Sequence, residues 1–133
     1  MRTRATAAVV KDEKLLMIHR HNHGEEYWVL PGGGVEEDEN LESAVLRELN
    51  EETSIVGKTK EKILDFIDSK DDRHVLFSVE YVSGKPVLHA DSEEANSADP
   101  EQSYNPEWVG INKLPELVIY PKEEKDFLIE YLK

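Results

Sequence analysis

Cysteine is absent from the 133 residues, which excludes disulfides and thiolate metal sites and leaves thiols silent about redox compartment. Long apolar runs are absent as well, and no stretch approaches the length needed to span a bilayer. The small apolar run Ala5 to Val10 ends at Lys11 without a cleavage-type continuation, so no signal peptide is expected and the expected location is cytoplasmic. Positive charge is scarce. Sixteen Lys and Arg stand against 29 Asp and Glu, a formal net charge of −13, which argues against general affinity for a nucleic-acid backbone or an anionic membrane. A small phosphorylated substrate stays compatible with that balance if a bound cation reverses the local sign. Internal repeats and domain linkers are missing too, and the length suits a single domain over residues 1–133 with one unstapled core.

What is present begins with apolar strand patterns. Ala5 to Val10 and Leu15 to His19, separated by KDEK, predict a β-hairpin. Tyr27 to Leu30 predicts a short strand that stops at Pro31 and the glycines Gly32 to Gly34. Asn40 is the expected N-cap of a helix from Leu41 to Thr53. Ile63 to Ile67 and Val75 to Val82 predict further strands, with Val87 to His89 as a continuation of the second. Residues 89 to 106 are polar and acidic, without helical or strand period, and are expected to form a long functional loop. Glu107 to Ile111 predicts a last strand. Pro121 is expected in the first turn of a final helix whose Phe127, Leu128, Tyr131 and Leu132 face the core. Strands on both sides of two helices imply an α/β fold with a mixed sheet.

The charge is not evenly spread: eight acids and one Arg crowd the segment from Glu36 to Glu52. At about 100° per residue, with Glu48 set to zero, Glu52 falls near 40° and Glu51 near 300°. Leu41, Val45 and Leu49 fall near 20°, 60° and 100° on the same wheel, roughly. Glu48 and Glu52 therefore lie beside or within the stripe that should face the core, where an ordinary solvated helix face would lie opposite it. Half-buried like charges are costly unless a cation lies between them. Carboxylates one turn apart can share an ion with Glu51 reaching in from one side, and all-oxygen ligands indicate Mg²⁺ or, alternatively, Mn²⁺. Arg47, the lone cation of the segment, could pair with Glu51 or reach back to Glu39.

Residues 33 to 55 resemble the signature box of the Nudix hydrolase family (MutT-like). Gly33, Glu39, Arg47, Glu48, Leu49, Glu51, Glu52 and Ile55 match it in register, while Ser54 stands where the family has Gly. If that position is left-handed, Ser costs about 1 kcal/mol there. Trp28-Val29-Leu30-Pro31-Gly32-Gly33 before the box and Glu107-Trp108-Val109 with Leu114-Pro115 after it extend the resemblance. It implies an α/β/α sandwich and hydrolysis of a nucleoside diphosphate linked to another group. It further implies Mg²⁺ held by Glu48, Glu51 and Glu52 with the Gly32 carbonyl, and Arg47 and Glu39 as the orienting pair.

The reaction so implied is attack of water on phosphorus, which needs charge neutralisation, an in-line nucleophile and a base. Glu51 or Glu48 could be the base; the family also uses a loop acid, for which Asp99 and, preferably, Glu101 are placed. Arg20 resembles a phosphate-binding position of the family, and its plain alternative is a surface Arg at a strand end. Trp28 or Tyr27 could stack on a base, with Trp28 and Trp108 as core anchors otherwise. Strand alternation puts His19, His21 and His23 on one side, a ligand trio that the box does not require. A nucleoside triphosphate is slightly favoured as substrate, with ADP-ribose or a nucleotide sugar as the alternative. A non-catalytic nucleotide sensor and a Ca²⁺-buffering acidic protein are the competing classes; the complete carboxylate set disfavours the first, and Arg47 and the glycine run the second. Oligomeric state is not legible, a homodimer included.

Overall fold

The computed structural model describes residues 1–87 and 99–133. Two of the expected strands, β1 (Thr3–Lys11) and β2 (Lys14–Asn22), form the hairpin, but they pair only at its tip, Val10 with Leu15 and Lys11 with Lys14. Beyond the tip the two strands part, and each builds its own half of the sheet. β1 takes β6 (Arg73–Ser83) in parallel on one edge, and β5 (Val56–Ile67) follows antiparallel. Its other edge receives the short β4 (Gly32–Gly34). β2 pairs with β3 (Glu25–Val29) on one side and β7 (Gln102–Gly110) on the other, both antiparallel.

Alternation sorts the side chains into two layers. Ala5, Ala7 and Val9 of β1, Leu16 of β2, and Val75, Phe77 and Val79 of β6 bury with Ala44, Val45 and Leu49 of α1 (Leu41–Thr53). The opposite faces, through Ala8, Leu15, Met17 and Leu76, bury with Leu114 of a 3₁₀ helix (Ile111–Glu116) and Leu128 of α2 (Lys122–Tyr131). Helix, mixed sheet and helix stack in that order, as the sequence implies.

Helix α1 starts where expected, its first turn capped by the Asn40 side chain accepting from the Ser43 N–H at 2.7 Å. Four expectations need correction. The polar stretch 89 to 106 is not all loop: Gln102 to Pro106 belong to β7, held by a full ladder to β2 that supplies the backbone order their side chains do not advertise. Val87 lies outside any strand, its N–H donating to the Thr53 carbonyl, while residues 88 and 89 fall outside the described residues. Tyr131 is 44% exposed, and Pro121 caps α2 instead of entering it. No helix among the described residues is long and apolar enough to cross a membrane.

Candidate active site

The parting of β1 from β2 leaves a cleft of about 460 Å³. Glu48, Glu51 and Glu52 project into it from α1, and Gly32 to Gly34 floor it. Burial follows the helical wheel: Glu52 is 8% exposed, and the Glu48 and Glu51 side chains are 16% and 46% exposed. Glu52 Oε1 accepts the Gly32 N–H at 2.7 Å, which ties the floor strand to the last turn of the helix.

Gly33 explains the glycine run. A Cβ built there would stand 2.5 Å from the Glu48 carboxyl carbon, so only Gly lets that carboxylate lie flat against the strand. Gly33 pairs with Ala5 of β1 and is thereby fixed against retreat.

Arg47 organises the acids. Its Nε and Nη2 donate to the two oxygens of Glu39 at 2.7 and 2.9 Å, a bidentate pair. Nη1 donates to Glu48 at 3.0 Å and Glu51 at 3.4 Å, and Nη2 also reaches the Gly34 carbonyl at 3.3 Å. The hydrogen bond from Arg47, reinforced by the Glu36 N–H, holds the Glu39 carboxyl down to about 2. Glu39 lies outside the cleft lining and touches it through its bidentate bond to Arg47.

The other wall carries positive charge. Arg20 of β2 is flanked across the ladders by Tyr27 of β3 and Tyr104 of β7, and its guanidinium lies 3.8 Å from the centre of the Tyr104 ring. Its nitrogens bond to neutral acceptors, the Ser103 carbonyl and the Gln102 side chain, which leaves its charge available to an anion. Arg2 and Arg4, which the sequence reading passed over, line the same cleft. Their signal was the alternation Arg2-Thr3-Arg4 entering β1 directly opposite the glycines.

Three expected candidates, Trp28, Asp99 and Glu101, do not line the cleft. On β3, alternation sends Tyr27 into it and Trp28 to the opposite face, where Trp28 stacks flat on His19 at 4.1 Å. Glu101 lies past the last register pair of β2 and β7, with its side chain 70% exposed and 3.5 Å from His23. Asp99 sits with it, bonded to His23 at 2.9 Å. The histidine trio is split by the turn at His23, whose φ of 50° takes it off the strand.

Glu124 was not foreseen. It is 1% exposed on α2, receives the Thr6 hydroxyl at 3.3 Å, and adjoins Arg4, Val29 and Leu30, three cleft residues. Burial pushes its carboxyl up to about 7. The signal was available: Glu124 stands four residues before Leu128, on the stripe that faces the core. A further depression lined by Glu13, Ile111 and Lys133, about 540 Å³, shares no residue with the cleft and converges no carboxylates.

Three carboxylates within one turn of α1 line the cleft, one of them buried, and all-oxygen donors of this kind suit a hard divalent cation. Arg47 is committed first to Glu39, so it only partly neutralises them.

The comparisons agree with this geometry. The NUDIX domain model matches residues 1–129. An ADP-ribose pyrophosphatase of Methanocaldococcus jannaschii is 34% identical over 128 residues, covering 90% of this chain and 69% of that protein. An uncharacterized Nudix hydrolase of Bacillus subtilis is 29% identical over 121 residues, covering 89% and 72%. The crystal structure of a MutT Nudix hydrolase from Burkholderia pseudomallei matches with a TM-score of 0.64 and 26% identity over 97% of this chain and 95% of that one. With the box carboxylates gathered on one cleft and the family model spanning nearly the whole sequence, this chain belongs to the Nudix family and is a hydrolase of phosphorus anhydrides.

Proposed function

We propose that the protein is a Mg²⁺-dependent pyrophosphohydrolase that cleaves a nucleoside diphosphate linked to another group, with a nucleoside triphosphate as the favoured substrate. One observation carries the reading: three carboxylates, Glu48, Glu51 and Glu52, and three guanidinium groups, Arg2, Arg4 and Arg20, line one cleft. Nudix hydrolases generally use divalent metal ions. Here Glu48, Glu51 and Glu52, with the Gly32 carbonyl, would hold Mg²⁺, with Mn²⁺ as substitute. When bound, the ion supplies charge neutralisation on the phosphate oxygens and lowers the pKa of coordinated water.

The chain's own groups divide the remaining work. Arg20, stacked on Tyr104, and Arg4 orient the phosphate chain, and Tyr27 offers a ring face beside it. Glu39 locks the Arg47 guanidinium, which in turn fixes where Glu48 points. With Glu101 turned away from the cleft, the base falls to the box. Glu51 is the best placed, since its side chain is the most exposed of the three and only loosely held by Arg47. Its carboxylate takes the proton from the attacking water as the anhydride P–O bond breaks, and the displaced phosphate leaves with the bond's electron pair.

Arg2, Arg4 and Arg20 beside the acids supply positive charge for a polyphosphate, a triphosphate included. The M. jannaschii relative, named an ADP-ribose pyrophosphatase, supports the second reading, in which the same machinery cleaves ADP-ribose. Product analysis over nucleoside triphosphates, ADP-ribose, sugar nucleotides and dinucleoside polyphosphates, with and without Mg²⁺, separates them. Mg²⁺-dependent release of nucleoside monophosphate and pyrophosphate from a triphosphate is expected; binding of every compound without cleavage would replace the enzyme with a sensor.

A further inference from the structure

On the face of β2 opposite the cleft, His19 and His21 point the same way, as strand alternation requires, and Glu26 of β3 lies directly across from His21. Both imidazole Nε2 atoms converge on one carboxylate oxygen: His19 Nε2 is 2.9 Å and His21 Nε2 3.1 Å from Glu26 Oε2. Each ring is braced at its other nitrogen. His19 Nδ1 lies 3.3 Å from Glu107 Oε2, and His21 Nδ1 lies 3.1 Å from the Ser103 hydroxyl, both on β7. The His19 ring is further clamped by its flat stack on Trp28.

We infer that His19, His21 and Glu26 form a second divalent-cation site, selective for a borderline ion of the Zn²⁺ class and separate from the carboxylate site in the cleft. Two imidazoles and one carboxylate are the donor set of a three-ligand zinc centre with one open position. Tetrahedral ligands at about 2.0 Å from zinc stand about 3.3 Å from one another, so the observed separations need little adjustment to admit an ion. With the protons on Nδ1, His19 donates to Glu107 and His21 to the Ser103 oxygen, leaving both Nε2 lone pairs aimed at Glu26. That is the outer support a metal-binding histidine needs. Mg²⁺ gains little from imidazole nitrogens, so the two sites sort ions by hardness.

The position gives the site a consequence. Arg20 lies between the two histidines in sequence and points to the other face, into the cleft. An ion clasping β2 to β3 through His19, His21 and Glu26 stiffens the strand that carries that phosphate-facing guanidinium.

The rival is an ordinary histidine–carboxylate surface network, and the nearby trio His23, Asp99 and Glu101 is a second place an ion could settle. Co²⁺ added to chelator-treated protein in excess Mg²⁺ decides between them, because four-coordinate Co²⁺ has intense visible d–d bands. One equivalent of Co²⁺ giving such bands, displaced by Zn²⁺, is expected. The bands should vanish in His21→Asn and Glu26→Gln, persist in His23→Asn and Glu52→Gln, and bind roughly ten- to a hundredfold more weakly in Glu107→Gln. Both diagnostic residues are exposed, so their variants fold. Zn²⁺ should also raise the melting temperature of the wild type and not of His21→Asn. Absent bands, bands that survive His21→Asn, or bands lost in His23→Asn would each overturn the assignment. None of these readouts depends on catalytic activity, so failure of the proposed hydrolysis would leave this test intact.

Discussion

Replacing Glu124 with Gln should make the protein's stability less dependent on pH, by an amount the structure fixes. The carboxyl is 1% exposed, and burial raises it from 4.5 to about 7. The Thr6 hydroxyl and the nearby Arg4 charge oppose that rise without cancelling it. In the unfolded chain the group ionises at its ordinary value. Between 4.5 and 7 the folded state therefore holds a proton that the unfolded state has lost, and stability falls as pH rises through that window. A shift from 4.5 to about 7 is worth about 3 kcal/mol. Glutamine keeps an oxygen for the Thr6 hydroxyl and never ionises. Urea denaturation of both proteins at pH 4.5 and at pH 8 gives the double difference, in which titrations common to both cancel. Glu124→Gln should gain about 3 kcal/mol on the wild type between the two pH values. A gap that changes by less than about 1 kcal/mol would mean that water or a cation already serves the carboxylate, and would refute the burial argument.

Gly33→Ala should fold, because the new methyl meets the flexible end of Glu48 and not backbone, yet lose most turnover as that carboxylate is pushed aside; circular dichroism beside kcat checks both halves. Ser54 occupies a left-handed helix end, φ 64°, and its hydroxyl donates to the Val87 carbonyl at 2.7 Å. Ser54→Gly should therefore be nearly neutral in denaturant titration, since relief of about 1 kcal/mol of strain offsets a lost hydrogen bond of similar size. Arg20→Lys, which loses the stack on Tyr104, should raise KM roughly tenfold with a smaller change in kcat. Glu101→Gln should leave kcat almost unchanged, and a severe loss would return the base to that loop acid.

Much of the carboxylate half was legible because helical geometry is rigid. Once Leu41, Val45 and Leu49 define the buried stripe, Glu48 and Glu52 have nowhere else to point, and the observed burial of Glu52 follows. The same logic applied to α2 would have found Glu124. The arginine half was harder. Arg2, Arg4 and Arg20 meet only because β1 and β2 part after two residue pairs, a tertiary event with no local signature. Tyr27 and Trp28 are adjacent in sequence, and which of them enters the cleft depends on β3's register against β2, set by His19 opposite Trp28. Gln102 to Pro106 escaped notice as strand because a paired partner, not side-chain pattern, orders them. Glu101 read as a site residue for its charge and position before Trp108, but the ladder ends one residue short of it.

The most direct test compares wild type and Glu52→Gln in nucleotide hydrolysis as Mg²⁺ is titrated. Gln can still accept the Gly32 N–H that Glu52 binds at 2.7 Å, so the fold and the cleft floor should survive. The expectation is saturable Mg²⁺ activation in the wild type and, in Glu52→Gln, turnover lost at every Mg²⁺ concentration with the melting temperature preserved. Activity near wild type in the variant, or hydrolysis indifferent to Mg²⁺, would contradict it.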